Sequence, residues 1–287
     1  MKKIAHICVL ACLLSCQACE TLDFAGFIGV TGTAVDGRFD ASRKIFEKEP
    51  VADITVSSDE YRVVLVTDIH HDEDDKNLDR FISACIGETG TEKVVLCLGD
   101  IVNGRKGQSQ VFSKLQKLSE AGWRFMNALG NHDTYFKEVE EFRKYWPLTA
   151  YTFNVILPCG KKDLFICLDS ADGAIGTSQR QWVEDVLKDA SGKYRNIYVY
   201  THTNFFNTDN TQLTSGNFSL EETYDLMSLF SSYGVKCVLT GHDHHFEECV
   251  FRGVTYYSFN ALCLDTGNWY KLSFGNELRL EEYFVGR

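Results

Sequence analysis

Short apolar runs alternate with stretches of helical spacing along most of the chain. Residues 61–67, 94–98, 124–129, 197–200 and 235–239 are apolar runs of strand length. Between them, Leu78, Phe81, Ile82, Cys85 and Ile86 recur at helical spacing and stop at Gly87. Residues 111–121 repeat that spacing and end at Gly122. Ser178 with Gln181 resembles a capping box before Trp182, Val183, Val186 and Leu187, and Ser219 with Glu222 opens a second helix that closes at Gly234. Residues 51–56 alternate like a strand, and residues 151–157 and 164–168 form a strand pair around the turn 158–163. Residues 17–50 carry no strong period and read as a leader wrapping onto the domain. Alternating strands and helices predict a mixed α/β sheet, and successive strands from Val254 onward suggest a second sheet packed on it.

Composition narrows the class. An apolar fraction of 44%, with 20 Phe and 13 Tyr in 287 residues, supports a large core and excludes disorder. Net charge is −11, with no basic stripe, which disfavours a duplex nucleic-acid partner.

The candidate chemistry sits where the strands end, the place where open α/β sheets bind ligands. Asp68-Ile69-His70 follows the first core strand; residues i and i+2 of an extended chain point the same way and can grip one ion. Gly99-Asp100 and Asn103-Gly104 follow the next, then Gly130-Asn131-His132-Asp133, where glycine permits a sharp bend. His202 follows the strand 197–200, and Gly241-His242-Asp243-His244 gives another i/i+2 pair. The chain has 8 histidines. Apart from His6, every one lies in these clusters or, as His71 and His245, beside them. A buried core histidine accounts for any one of them, but not for all together. Nitrogen from His with oxygen from Asp and Asn favours Mn, Fe or Zn over all-oxygen Mg or Ca sites, and the lack of cysteine in the clusters argues against structural zinc. Asp100, after a glycine at a strand end, is well placed to bridge two ions.

The ordered set Asp-x-His, Gly-Asp-x-x-Asn, Gly-Asn-His-Asp, His and Gly-His-x-His, spanning residues 68–244, resembles the calcineurin-like metallophosphoesterase superfamily. The resemblance implies a four-layer α/β/β/α sandwich with a dinuclear metal site at the strand ends. It implies that Asp68, His70, Asp100 and His244 hold one divalent ion, that Asp100, Asn131, His202 and His242 hold the other, and that His132 donates a proton. Asn103 occupies the place where many relatives carry an acidic residue orienting that histidine, and where the purple acid phosphatases carry a metal-binding tyrosine. Arg105 is out of register with the phosphate-clamping arginine of the protein phosphatases. Leu168-Asp169-Ser170, and Gln179 with Trp182, resemble recurrent positions that are not ligands. The implied reaction is hydrolysis of a phosphodiester or phosphomonoester, with a metal-bridging hydroxide as nucleophile. The pattern leans toward the cyclic-nucleotide-type diesterases, and away from 5′-nucleotidases because no second domain is expected after Arg287. The alternative is a non-catalytic metal-binding scaffold of the same fold.

The start of the chain adds a location. Lys2 and Lys3 precede an apolar run, residues 4–14, shorter than the ~18 residues a membrane span needs. Leu13-Leu14-Ser15-Cys16 resembles a bacterial lipobox, implying a signal peptide over residues 1–15, a lipid anchor on Cys16, a leader over 16–50 and an exported domain over 51–287. Of 11 cysteines, Cys97, Cys167 and Cys237 lie in apolar strands and Cys85 on an apolar helix face. Cys159, Cys249 and Cys263 remain for pairing, with nothing to select a pair. The stretch 203–216, with Phe205 and Phe206, reads equally as a wall of the substrate pocket or as a solvated loop around a packed Phe pair. His71 and His245 read as exposed neighbours of the clusters, and Asp133 as a cap for backbone groups.

Overall fold

Side chains of strand β2 (Tyr61–Val66) alternate between two cores: Tyr61, Val63 and Leu65 pack on one, Val64 and Val66 on another. Such two-faced burial makes the strand apolar after the exposed Arg62 instead of alternating with polar residues. The computed structural model describes residues 35–71, 76–103, 107–135, 139–207 and 217–285.

β2, β3 (Val94–Cys97) and β4 (Arg124–Asn127) run parallel. Antiparallel β11 (Asn268–Phe274) and β12 (Arg279–Phe284) complete a five-stranded sheet in the order β12-β11-β2-β3-β4. The second sheet has seven strands. It is built from β1 (Ile54–Thr55), β5 (Tyr151–Ile156), β6 (Lys162–Cys167), β7 (Asn196–Tyr200), β8 (Cys237–Thr240), β9 (Glu247–Phe251) and β10 (Val254–Ser258), ordered β1-β5-β6-β7-β8-β10-β9. The central core, with Phe153, Phe165, Tyr198, Leu272 and Phe274, lies between the sheets. Helices α2 (Lys76–Gly87), α3 (Gln108–Glu120) and α4 (Val139–Tyr145) cover the outer face of the five-stranded sheet. Helices α5 (Gly176–Ala190) and α6 (Leu220–Ser232) cover the other. The architecture is the four-layer α/β/β/α sandwich.

Three features depart from the sequence reading. Within the stretch read as an unpatterned leader, residues 35–46 form a helix, α1 (Val35–Phe46), packed against α5 through Phe39 and Trp182 at 5.5 Å. A buried charge holds it in place. The Arg38 guanidinium forks onto both oxygens of Asp169, at 2.8 and 2.9 Å, and reaches Asp172 at 2.9 Å. Gln179 fixes Asp169 in turn, accepting its N–H at 2.8 Å and donating to its carbonyl at 2.9 Å. Second, the last strands divide between the sheets: β10 pairs with β8, while β11 pairs with β2. Third, Ser178 lies inside α5, and its N–H is satisfied by Asp36 of α1 at 2.9 Å, so no capping box forms there. Ser219 does cap α6, accepting the Glu222 N–H at 3.3 Å. Residues 1–34, with the expected signal peptide and Cys16, lie outside the described residues. Among the described residues, no helix is long and apolar enough to cross a membrane. The seven cysteines among them form no disulfide.

Candidate metal centre

The carboxyl ends of β2, β3 and β4 from one sheet meet those of β7 and β8 from the other, and the polar clusters converge there. The backbone bends sharply to achieve this. Six described non-glycine residues have positive φ, and all but Arg252 belong to the site: Asp68 (50°), His70 (43°), Asp100 (51°), His242 (74°) and His244 (54°). Each left-handed residue costs on the order of 1–3 kcal/mol. The i/i+2 pairs therefore converge through left-handed kinks, not along the extended chain assumed from sequence. Gly130 has an ordinary φ, and its role is room: a Cβ there would overlap Asp100 Oδ1. Gly241 does the same against Thr67 and Asp68.

One group of side chains gathers around Asp68. Its Oδ2 accepts from Thr67 Oγ1 at 2.6 Å and from the His242 N–H at 3.0 Å. Its Oδ1 is fully buried without a hydrogen-bond partner, yet lies 3.3 Å from His244 Nε2 and 3.7 Å from His70 Nε2. Those two ring nitrogens stand 3.1 Å apart. Burial opposes ionisation of Asp68, but His244, His70 and His202 outweigh it and hold the carboxyl well below its usual range.

A second group gathers around Asn131. Its Oδ1 lies 2.8 Å from His202 Nε2 and 3.0 Å from His242 Nδ1, and those two nitrogens are 3.1 Å apart. His202 Nδ1 faces the Leu98 carbonyl at 2.9 Å, which assigns a proton to Nδ1 and leaves Nε2 as the nitrogen turned toward the cluster. Asp100 stands between the groups: its Oδ2 is 3.5 Å from His70 Nε2 and 3.3 Å from His202 Nε2, and its Oδ1 accepts the His132 N–H at 2.9 Å. Burial disfavours the charge on Asp100, but His202, His132 and His70 keep its carboxyl below the ordinary value. For His202 burial is likewise outweighed, by Asp100, which pushes it up to about 10. Burial, then His202, lowers His242 to about 3.

These donors fit divalent cations. Ring nitrogens and carboxylate oxygens converge in two compact sets, Asp100 is shared between them, and the buried orphan Asp68 Oδ1 faces the first. The chain's own hydrogen bonds leave that oxygen unsatisfied, and a cation would satisfy it.

His132 is largely buried, with a ring nitrogen in the same 4.8 Å cluster as His70 and Asp100, and burial lowers its pKa to about 4. Asp133 accepts the N–H groups of Ile101, Val102 and Gly130 at 3.0–3.1 Å and so ties two strand ends together. Burial and Asp100 push its carboxyl up to about 8. Asn103 is exposed; its backbone N–H bonds the His71 carbonyl at 3.4 Å, and no hydrogen bond among the described residues joins its side chain to His132. Arg105 lies outside the described residues.

Several neighbours departed from expectation or were missed. His71 is buried beside Val102 and Gly107, because its backbone continues the β2–β3 pairing, while His245 is exposed. Phe205 and Phe206 pack into the outer core with Phe218, Phe230 and Tyr256; residues 208–216 of that loop lie outside the described residues. Tyr135 is a further participant in the site. Its hydroxyl accepts from Asn131 Nδ2 at 2.6 Å and thereby aims Oδ1 at the histidines, a role its i+4 spacing from Asn131 could have signalled. Asp243 accepts from the amides of Asn204 and Asn207 and braces the turn between His242 and His244. Cys263, by sequence a candidate for disulfide pairing, places its Sγ with His70 and His244 in a third cluster within 4.8 Å. No motif marks it.

Two parallel-centred sheets with a histidine-carboxylate cluster at their strand ends define a class of metal-dependent hydrolase. The family model described as calcineurin-like phosphoesterase matches residues 61–246, and the chain belongs to that family, whose members generally use divalent metals to hydrolyse phosphate esters. No curated protein sequence matches it. Among solved structures it is similar to a dimetal phosphatase from Danio rerio, at 12% identity and TM-score 0.59, covering 78% of this chain and 96% of that one. It is also similar to GAP50, described as the anchor in the inner membrane complex of Plasmodium, at 13% identity and TM-score 0.60, covering 79% and 85%. A third is purple acid phosphatase PPD1 from yellow lupin (Lupinus luteus) seeds, at 14% identity and TM-score 0.56, covering 80% of this chain and 52% of that enzyme. At these identities the likeness is one of fold.

Proposed function

We propose that this chain hydrolyses a phosphodiester or phosphomonoester at two divalent cations, Mn, Fe or Zn, held by Asp68, His70, Asp100, Asn131, His202, His242 and His244. The observation that carries the reading is Asp100, lodged between two histidine sets and held on a left-handed backbone of the kind that clusters at functional sites. When bound, such ions supply Lewis acidity and lower the pKa of coordinated water from 15.7 to about 7, roughly 12 kcal/mol toward hydroxide. Asp68 and Asp100 set the negative charge of the cradle, and their low pKa keeps them ionised at neutral pH. Asn131, aimed by Tyr135, contributes a neutral oxygen, leaving the loaded site net positive for an anionic ester. His132 stands beside the cluster as proton donor to the leaving oxygen. Burial lowers its pKa to about 4, so its protonated form is a ready acid toward the leaving oxygen.

A second reading is a metal-binding scaffold without turnover, a use of the fold consistent with the name of GAP50 as an anchor. Purified protein given bis-nitrophenyl phosphate with Mn, Fe or Zn distinguishes the two. Turnover abolished by Asp100→Ala supports catalysis; no turnover with any metal favours the scaffold. His132→Ala is expected to lose about 10²–10⁴ in rate on alkyl esters and much less on nitrophenyl esters, whose leaving group needs no proton. Equal losses on both would remove the role assigned to His132.

A further inference from the structure

The third cluster puts sulfur beside the first metal set. We propose that Cys263 is an additional, thiolate ligand of the ion held by Asp68, His70 and His244, and that it biases this position toward a thiophilic ion, Zn or Fe, over Mn or Mg. The inference rests on the dinuclear reading above and adds a ligand to it.

Two independent observations point there. Cys263 Sγ lies within 4.8 Å of ligating nitrogens of both His70 and His244. Asp68 Oδ1, buried and without a hydrogen-bond partner, faces those same two nitrogens at 3.7 and 3.3 Å, so thiol and carboxylate share the two imidazoles as neighbours. The cysteine is also held in place. The Leu262 N–H bonds the Thr67 carbonyl at 3.0 Å, and the Cys263 N–H bonds the Asp68 carbonyl at 3.1 Å. Asn77 Nδ2 clamps both flanks, donating to the carbonyls of Leu262 and Leu264 at 2.9 Å each. The turn after β10 is thus fastened to the end of β2, the strand that delivers Asp68.

The chemistry follows from donor softness. Four donors from Asp68, His70, Asp100 and His244 are hard or borderline, whereas thiolate selects zinc, iron and softer ions. Binding exchanges the S–H bond for an S–metal bond, and the proton leaves to solvent; affinity through this ligand therefore rises with pH. The thiol is exposed, so an ion reaches it without opening the fold.

The test is spectroscopic. Wild type, Cys263→Ser and Cys263→Ala are loaded with Co²⁺ and, separately, Cd²⁺; ion content is measured by elemental analysis and thiolate-to-metal charge transfer by near-ultraviolet absorption. The expected result is a charge-transfer band in the wild type that is lost in both variants, while ions remain at the Asn131 set. Alkylation of Cys263 by iodoacetamide, mapped by mass spectrometry, is expected to slow in the wild type when Zn²⁺ is added. If the wild type binds ions but shows no band, or both variants keep it, the thiolate ligand is overturned while the dinuclear reading stands. If the wild type binds no ions at all, both fall together.

Discussion

Asp100 and Gly130 show what single residues contribute. The carboxylate must stand between two histidine sets, and the neighbouring chain must pass close enough for the His132 N–H to bond it at 2.9 Å. Only a residue without a side chain at Gly130 allows both. Gly130→Ala is therefore expected to displace Asp100 and to lose ion binding and turnover together, with ion content measured on the purified variant. Full ion content with normal turnover would show that the close approach is dispensable. The residue types of this site were legible in sequence because metal-ligand chemistry is local: a histidine two residues from an aspartate at a strand end carries its meaning unaided. The backbone that aims them was not. Asp68, His70, His242 and His244 adopt positive φ, a conformation rare for such residues and imposed here by tertiary contacts. Cys263 was illegible for the same reason, since a turn far along the chain delivers it to the end of β2.

Among the elements, α1 best separates what the pattern of the chain reveals from what the fold adds. Its helix carries too few apolar positions to announce itself, and what anchors it is Arg38 in the bidentate pair with Asp169. Removing one partner of a buried pair strands the other charge in the interior, at a cost of about 3–5 kcal/mol. Arg38→Ala is expected to lower unfolding free energy by that amount in denaturant titration, with α1 losing amide protection first. A loss under about 1 kcal/mol would mean the pair contributes little. Core strands and the long helices α2, α3, α5 and α6 were readable from apolar runs and spacing. The partition of β10 and β11 between sheets was not, because which strand pairs with which depends on contacts far apart in sequence. The strand predicted over residues 51–56 is shorter in the fold: Ile54 and Thr55 pair with β5, and the Val56 N–H still reaches the Ile156 carbonyl at 3.1 Å.

At the scale of the whole molecule, the two sheets exist to bring five strand ends to one place, three from one sheet and two from the other. With a net charge of −11 on the chain, a centre holding two cations would be a locally positive spot to which an anionic ester would be drawn. The amino-terminal sequence adds a proposed setting: export and a lipid anchor at Cys16, placing the hydrolase at a bacterial membrane. Expression with its own leader is expected to give membrane-associated protein carrying a diacylglyceryl group by mass spectrometry, and Cys16→Ala is expected to move it to the soluble fraction. Wild-type protein that is soluble and unlipidated would contradict the anchor.

Ion stoichiometry tests the central claim most directly. Purified protein, stripped with a chelator and dialysed against excess Mn²⁺ or Zn²⁺, is expected to retain two ions per chain by elemental analysis and to regain hydrolysis of bis-nitrophenyl phosphate in proportion. Asp100→Asn is expected to lose ions from both sets at once. A wild type that retains none, or an Asp100→Asn variant that retains both with full turnover, would contradict a shared dinuclear centre.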